Sequence, residues 1–255
     1  MLSVREKARH MPDLEPKPSG KAHGGRWARR AIVAVCAAAA VAFAAAKFAP
    51  YLTDGDEYAD VVSIETTAAY RDPSLMAKAG SLPVAAAYGP DMIYQNNPSF
   101  CGPTTIANLL RSLGVARTQE EVLAKSSFRA VFGLLIGGLT LDEEAALMTS
   151  NTAGKVEILR DLDLEEFRAA MTRVNDPAAR FIVNFHRGPM FGRGHGHFSP
   201  LLAYLAEEDL VLVGDVNADY GPYLVSAELL WMATDSVDGE TGLERGLIVF
   251  TPGAD

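Results

Sequence analysis

The sequence predicts an α+β domain behind an apolar N-terminal segment. Between Thr104 and Met171, apolar residues recur at helical spacing behind Thr- and Asp-led capping patterns; from Arg180 onward they gather into short strand-like runs. Helices first and antiparallel strands later is the order expected of an α+β fold. At 255 residues and 49% hydrophobic content, the chain is long enough to bury a substantial core.

Residues 1–30 carry eight Lys/Arg against three acids, a net charge of +5; since the whole chain carries −9, the remainder holds −14. Such an acidic body has no basic stripe, P-loop or dinucleotide fingerprint, and nothing in it would neutralise phosphates, so nucleic acid is excluded as a partner. Ala31 to Ala46 is sixteen residues without a charge. Tyr51 and Leu52, with Lys47 snorkelling, extend residues 31–52 towards the ~20 residues that a spanning helix needs. The positive-inside pattern then makes residues 1–30 a cytoplasmic head and puts the body outside. A retained anchor is the favoured expectation. The alternatives are a signal peptide cleaved after the Ala44-Ala45-Ala46 stretch, a loose twin-arginine signal at Arg29-Arg30, and a buried soluble helix.

Residues 53–80 are mixed and polar, expected as a linker, and residues 81–255 as the folded domain. Within it, Thr104–Leu113 has helical spacing that stops at Gly114. Thr118-Gln119-Glu120-Glu121 is patterned as a capping box. Thr140-Leu141-Asp142-Glu143 opens a helix through Met148, and Asp163-Leu164-Glu165-Glu166 opens another through Met171. Strands are expected at Arg180–Phe185, Phe198–Tyr204, Leu210–Val213 and Gly246–Phe250, with a short helix at Ser226–Met232.

The chain has two cysteines, and Cys36 lies inside the apolar run. Cys101 is therefore the lone thiol of the body and has no partner for an intrachain disulfide. An inert buried cysteine is the plain alternative. Cys101 stands where a Pro/Gly-broken loop turns into a helix, with Pro103 suited to the first turn. Unpaired N–H groups and the positive dipole end there are expected to favour the thiolate. Gln95, six residues upstream, is a candidate amide donor for a developing oxyanion, or simply a loop amide.

A thiolate nucleophile needs a base, and the base an orienting group. His186, His195 and His197 are the histidines of the body. His197 opens a strand after a Gly-rich loop, and Asp215 ends the next strand, so a hairpin could bring Asp215 beside His197 and fix its tautomer. Alternatives stay open from spacing alone: His195, His197 and Asp215 as zinc ligands, or Asp215 capping a turn. His186, beside Arg187, reads as structural.

Taken in order, these residues resemble the phytochelatin synthase family. Gln95 to Gly102 is similar to its Q-x-x-P-x-F-C-G motif, and His186-Arg187-Gly188 with Gly194 to Pro200 to its H-R-G…G-x-G-H-F-S-P run. Gly138-Leu139-Thr140, Ala153 to Glu157, Leu212 to Val216, Glu228-Leu229-Leu230-Trp231 and Thr241 to Gly246 continue the resemblance. It implies a papain-like cysteine peptidase fold, with a helical half carrying the nucleophile and then an antiparallel sheet half. It implies Cys101 as nucleophile, His197 as base and acid, Asp215 as orienter and Gln95 as oxyanion donor. Arg245 is implied near the substrate carboxylates, though a surface ion pair is its plain alternative, and Gly196, Phe198 and Ser199 are implied as substrate-binding neighbours. The implied substrate is glutathione, losing its C-terminal glycine through a γ-glutamylcysteinyl thioester. Hydrolysis is favoured over phytochelatin-forming transpeptidation, because the Cys-rich C-terminal region of plant-type members does not follow. No intrinsic cofactor or protein-bound metal is expected; cadmium or zinc would enter as thiolate complexes of the substrate. The bacterial inner membrane with a periplasmic catalytic domain, or the periplasm after cleavage, is the expected location, and a homodimer is an open expectation. Asn97 stands where the family often has Glu, and Pro103-Thr104 replaces a smaller apolar pair, which leaves acceptor binding open. The competing enzyme reading is a peptidase similar to the bacteriocin-processing double-glycine peptidases; a silent thiol- or metal-binding module is the third.

Overall fold

The structure is a computed structural model and describes residues 24–131 and 133–253. Residues 1–23 of the expected cytoplasmic head lie outside the described residues. The chain divides into two compact units, residues 1–47 and 48–255. The apolar stretch is helical, within α1 (Gly24–Glu57), and its side chains from Trp27 to Phe43 are exposed. Among the described residues, no helix is long and apolar enough to cross a membrane.

In the second unit, residues expected as a linker are folded. Ile64 and Tyr70 are buried, and the Tyr70 carbonyl accepts from the Leu224 N–H at 2.8 Å. Asp72 caps α2 (Pro73–Gly80) by accepting from the Ser74 and Leu75 N–H groups, with Pro73 in the first turn. Within the expected linker, Arg71-Asp72-Pro73-Ser74 is a helix start. The helices α3 (Pro83–Tyr88), α4 (Cys101–Ser112), α5 (Gln119–Ala124) and α6 (Leu141–Asn151) follow. The expected capping box at Thr118 closes with Glu121, and the expected helix openings at Thr140 and Asp163 are also capping boxes, with Glu143 and Glu166.

The remaining elements are β1 (Gly154–Leu159), α7 (Leu164–Thr172), β2 (Arg180–His186), α8 (Gly188–Phe191), β3 (Gly196–Leu205), β4 (Leu210–Gly214), β5 (Pro222–Ser226), α9 (Ala227–Thr234) and β6 (Gly246–Pro252). All strands pair antiparallel in one sheet of order β1-β6-β2-β3-β4-β5. The fold is thus α+β with an antiparallel sheet. Helices cover both faces. Ile182, Phe198, Leu212 and Ile248 join residues of α3, α4 and α6 in one core. Phe181, Val183, Phe185, Val213 and Val249 join residues of α7 and α9 in the other. Burial on both sides explains why β2 and β4 are nearly continuous apolar runs rather than alternating ones.

One irregularity sets the site. The β3–β4 register slips between Leu201 and Ala203, and Leu202 and Ala203 both join the core under α4. This bulge reverses the in–out alternation of β3. Leu201 therefore shares the second core with Val213. Continuing the alternation, His197 and Asp215 fall on that same face, whereas an unbroken β3 would put them on opposite faces.

Candidate active site

Cys101 is the first residue of α4, and no side chain caps that helix. The thiol is buried, with the Phe198 and Gly102 backbone N–H groups beside it. Phe198 is held to α4 a second time, since its carbonyl accepts from the Thr105 hydroxyl at 3.1 Å. The start of β3 and the start of α4 are thereby locked together. Burial pushes the thiol up to about 11, and Glu144 adds to it; the two N–H groups and Arg187 pull the other way. The expected thiolate-favouring helix start is present, but desolvation outweighs it.

His197 follows Gly196 at the beginning of β3 and packs edge-on against Phe185, with ring centroids 5.6 Å apart. Its Nε2 lies 3.0 Å from Asp215 Oδ1, and both side chains are out of solvent. That contact occupies Nε2 and leaves Nδ1 for a reacting proton. Burial holds the imidazole below its ordinary value, and the charge of Arg187 works in the same direction against Asp215. Thiol and imidazole are therefore both neutral at rest, so the nucleophile is made by proton transfer during reaction.

Asp215 is fully buried and still ionised. Burial opposes its charge, but His197 and Arg187 together draw its carboxyl down to about 2. Asp215 Oδ1 also accepts from the Asn217 N–H at 2.8 Å. The next residue, Val216, accepts from the Gln95 N–H at 2.8 Å, which ties the loop before Cys101 to the strand end that carries Asp215.

The remaining sequence candidates divide. Gln95 Nε2 donates to the Asn97 carbonyl at 3.0 Å within its own loop, so one of its two N–H groups is committed there. Arg245 lies against Gly196, where an added Cβ would meet Nη2 at 2.8 Å, and Nη1 donates to the Val237 carbonyl at 2.7 Å. It is buried rather than a surface pair. Phe198 and Ser199 do not present side chains to a substrate: they are 2% and 0% exposed, and Phe198 packs under α4. Alternation sends them to opposite faces of the sheet, and because both faces are covered each is interior, so Phe198 borders the site through its backbone. His186 is buried and packs against Tyr58, with ring centroids 5.1 Å apart and the planes tilted by 33°. The His195 carbonyl accepts from the Arg187 N–H at 3.2 Å. Among the described residues, no group of three or more His, Cys, Asp or Glu is placed to hold a metal ion. An open groove flanks the Cys101 loop, lined by Asn96, Asn97, Phe100, Phe128 and Arg129.

Two residues of the site escaped the sequence reading. Arg187 donates through Nη2 to Asp215 Oδ1 at 2.8 Å, and its Nη1 lies 2.8 Å from Oδ2. Its guanidinium also lies over the Tyr220 ring, 3.8 Å from the centroid. Its place in the H-R-G run was the available signal. Glu144 is 0% exposed, and its Oε2 is so close to Gly102 that an added Cβ would come within 2.2 Å. An acidic residue in a helix's first turn reads as ordinary N-terminal charge and carries no signal for this.

The family model described as phytochelatin synthase matches residues 73–247. The chain is 36% identical over 172 residues to glutathione gamma-glutamylcysteinyltransferase 1 of Arabidopsis thaliana, covering 62% of this chain and 35% of that protein. It is 29% identical over 169 residues to glutathione gamma-glutamylcysteinyltransferase 3 of Lotus japonicus, covering 62% and 35%. The chain thus spans about a third of the length of these curated relatives. Among solved structures, the peptidase domain of Streptococcus ComA, a bifunctional ABC transporter, is similar at 16% identity and a TM-score of 0.39; the match covers 63% of this chain and 97% of that one.

Proposed function

This chain belongs to the phytochelatin synthase family, and we propose that it removes the C-terminal glycine of glutathione through a thioester on Cys101. The observation that carries the reading is the contact of His197 Nε2 with Asp215 on a strand whose next residue, Phe198, meets the Cys101 thiol. It leaves Nδ1 as the basic atom and fixes its aim. A papain-like arrangement accords with a nucleophile at a helix start packed on an antiparallel sheet that supplies base and orienter.

His197 Nδ1 takes the Cys101 proton as sulfur attacks the carbonyl between cysteine and glycine. The tetrahedral oxyanion is met by backbone N–H at the start of α4 and by the second N–H of the Gln95 amide. Collapse breaks the C–N bond, and the imidazolium gives its proton to the departing glycine amine. A γ-glutamylcysteinyl thioester remains. Water, deprotonated by His197, then releases γ-glutamylcysteine; the amine of a second thiol peptide could instead take the acyl group and lengthen it. Asp215, held by Arg187, supports the imidazolium in both steps. Arg245 receives a substrate carboxylate beside Gly196. The acidic body works outside the cytoplasm at the bacterial inner membrane, a reading supported by the charge asymmetry around residues 31–52.

The full chain incubated with glutathione tests this. Glycine and γ-glutamylcysteine should appear in equal amounts. Cys101→Ala should release none, and His197→Ala should be slower by about 10²–10⁴-fold. Absence of glycine, with cleavage of a Gly-Gly peptide instead, would replace this reading with the peptidase one.

A further inference from the structure

Glu144 is a buried acid for which the reaction above has no task. Neither of its carboxyl oxygens has a hydrogen-bond partner among the described residues. It lies on α6, which packs against α4, α5, β1 and β6. Oε2 presses on Gly102, the residue after the nucleophile. An ionised carboxyl there would have neither water nor a counter-charge.

The charges around it are accounted for. On α6 itself, Asp142 pairs with Arg160 near the surface, and Glu143 closes the capping box. On α5, Glu120 accepts from the Asn96 amide and Glu121 closes its own box. On β1, Lys155 and Glu157 pair with each other in solvent, and β6 has no titratable side chain. From α4 the titratable neighbour is Cys101, whose thiol Glu144 pushes up. Burial alone raises the Glu144 carboxyl to about 8.

We propose that Glu144 is a positioning residue acting through Cys101: as a neutral acid it lets the thiolate form beside it, and once ionised it holds Cys101 as the thiol. Two negative charges in one dry pocket cannot both persist, so ionising the first opposes the second. The inference rests on Cys101 being the nucleophile proposed above. It also interrupts the usual behaviour of cysteine, whose reactivity climbs steadily with pH as thiolate accumulates.

The test is the rate of Cys101 alkylation by iodoacetamide between about pH 6 and 9.5, read by intact mass in a Cys36→Ser background of the full chain. The parent rate should climb with pH up to about pH 8 and level off above it. In Glu144→Gln the rate should keep rising, raising the ratio of the rate at pH 9 to that at pH 7 by about fivefold or more. Glu144→Leu, also neutral, should behave in the same way if the glutamine variant does not fold. A parent rate that keeps rising as steeply above about pH 8 as below it overturns the proposal even without a folded variant, and so do superimposable profiles in parent and variant. If His197→Ala leaves the parent alkylation rate unchanged, the nucleophile reading fails, and this inference with it.

Discussion

Arg187 grips the carboxylate of Asp215 with one aligned hydrogen bond and one charge contact, each at 2.8 Å, and both side chains are almost wholly out of solvent. The orienter of the imidazole is thus itself oriented. Removing one partner of such a pair leaves an uncompensated buried charge, which costs about 3–5 kcal/mol. Arg187→Met should lose stability on that scale in urea unfolding. In the fraction that stays folded, His197 loses a neighbour that depresses it. The acid limb of the pH–rate profile should therefore move to higher pH.

Asp215 makes acid stability a readout of the same cluster. Its carboxyl is drawn from 3.8 to about 2 in the fold. The native state therefore binds fewer protons than the unfolded chain in that interval, so stability rises with pH there. This contribution is complete above pH 3.8 and disappears as pH falls through about 2. Acid unfolding followed by circular dichroism should show a steep loss in this window, and Asp215→Asn should flatten it.

Glu144 acts in the opposite sense. Its folded value of about 8 lies above the ordinary 4.5. Its contribution is full below pH 4.5, declines as pH rises and is lost by about 8. Thermal unfolding of the parent should weaken across that range relative to Glu144→Gln, with a constant difference at higher pH.

Glu144 leaves room only for a glycine at position 102. A methyl group there would meet Oε2 at 2.2 Å and a Leu139 methyl at 3.1 Å. Gly102→Ala should cost about 1–3 kcal/mol by overpacking. Combined with Glu144→Ala it should recover part of that loss, a coupling that a double-mutant cycle measures.

Much of this was legible in the sequence for local reasons. The capping boxes at Thr118, Thr140 and Asp163 predict their helix starts because side chain and backbone lie within one turn of each other. The runs at Arg180 and Leu210 read as strands because both faces are buried. β5 is no shorter than β4, but it is opened by Pro222 beside Gly221, a pair that reads as a turn rather than a strand. The linker expectation failed because Ile64 and Tyr70 are single apolar anchors in a polar stretch, and their burial depends on distant partners. His197 and Asp215 could be paired as hairpin neighbours, but the bulge that sets them on one face depends on pairing across strands. Arg187 and Glu144 escaped for a similar reason, since their roles come from contacts across 28 residues and between helices.

The most direct test of the central claim is the intact mass of the protein quenched in acid during turnover with glutathione. The account predicts one γ-glutamylcysteinyl group per chain, mapped to Cys101 and absent from Cys101→Ala, with glycine released in step with its formation. A protein that releases glycine without carrying that group, or a Cys101→Ala variant that still acquires it, would contradict the account.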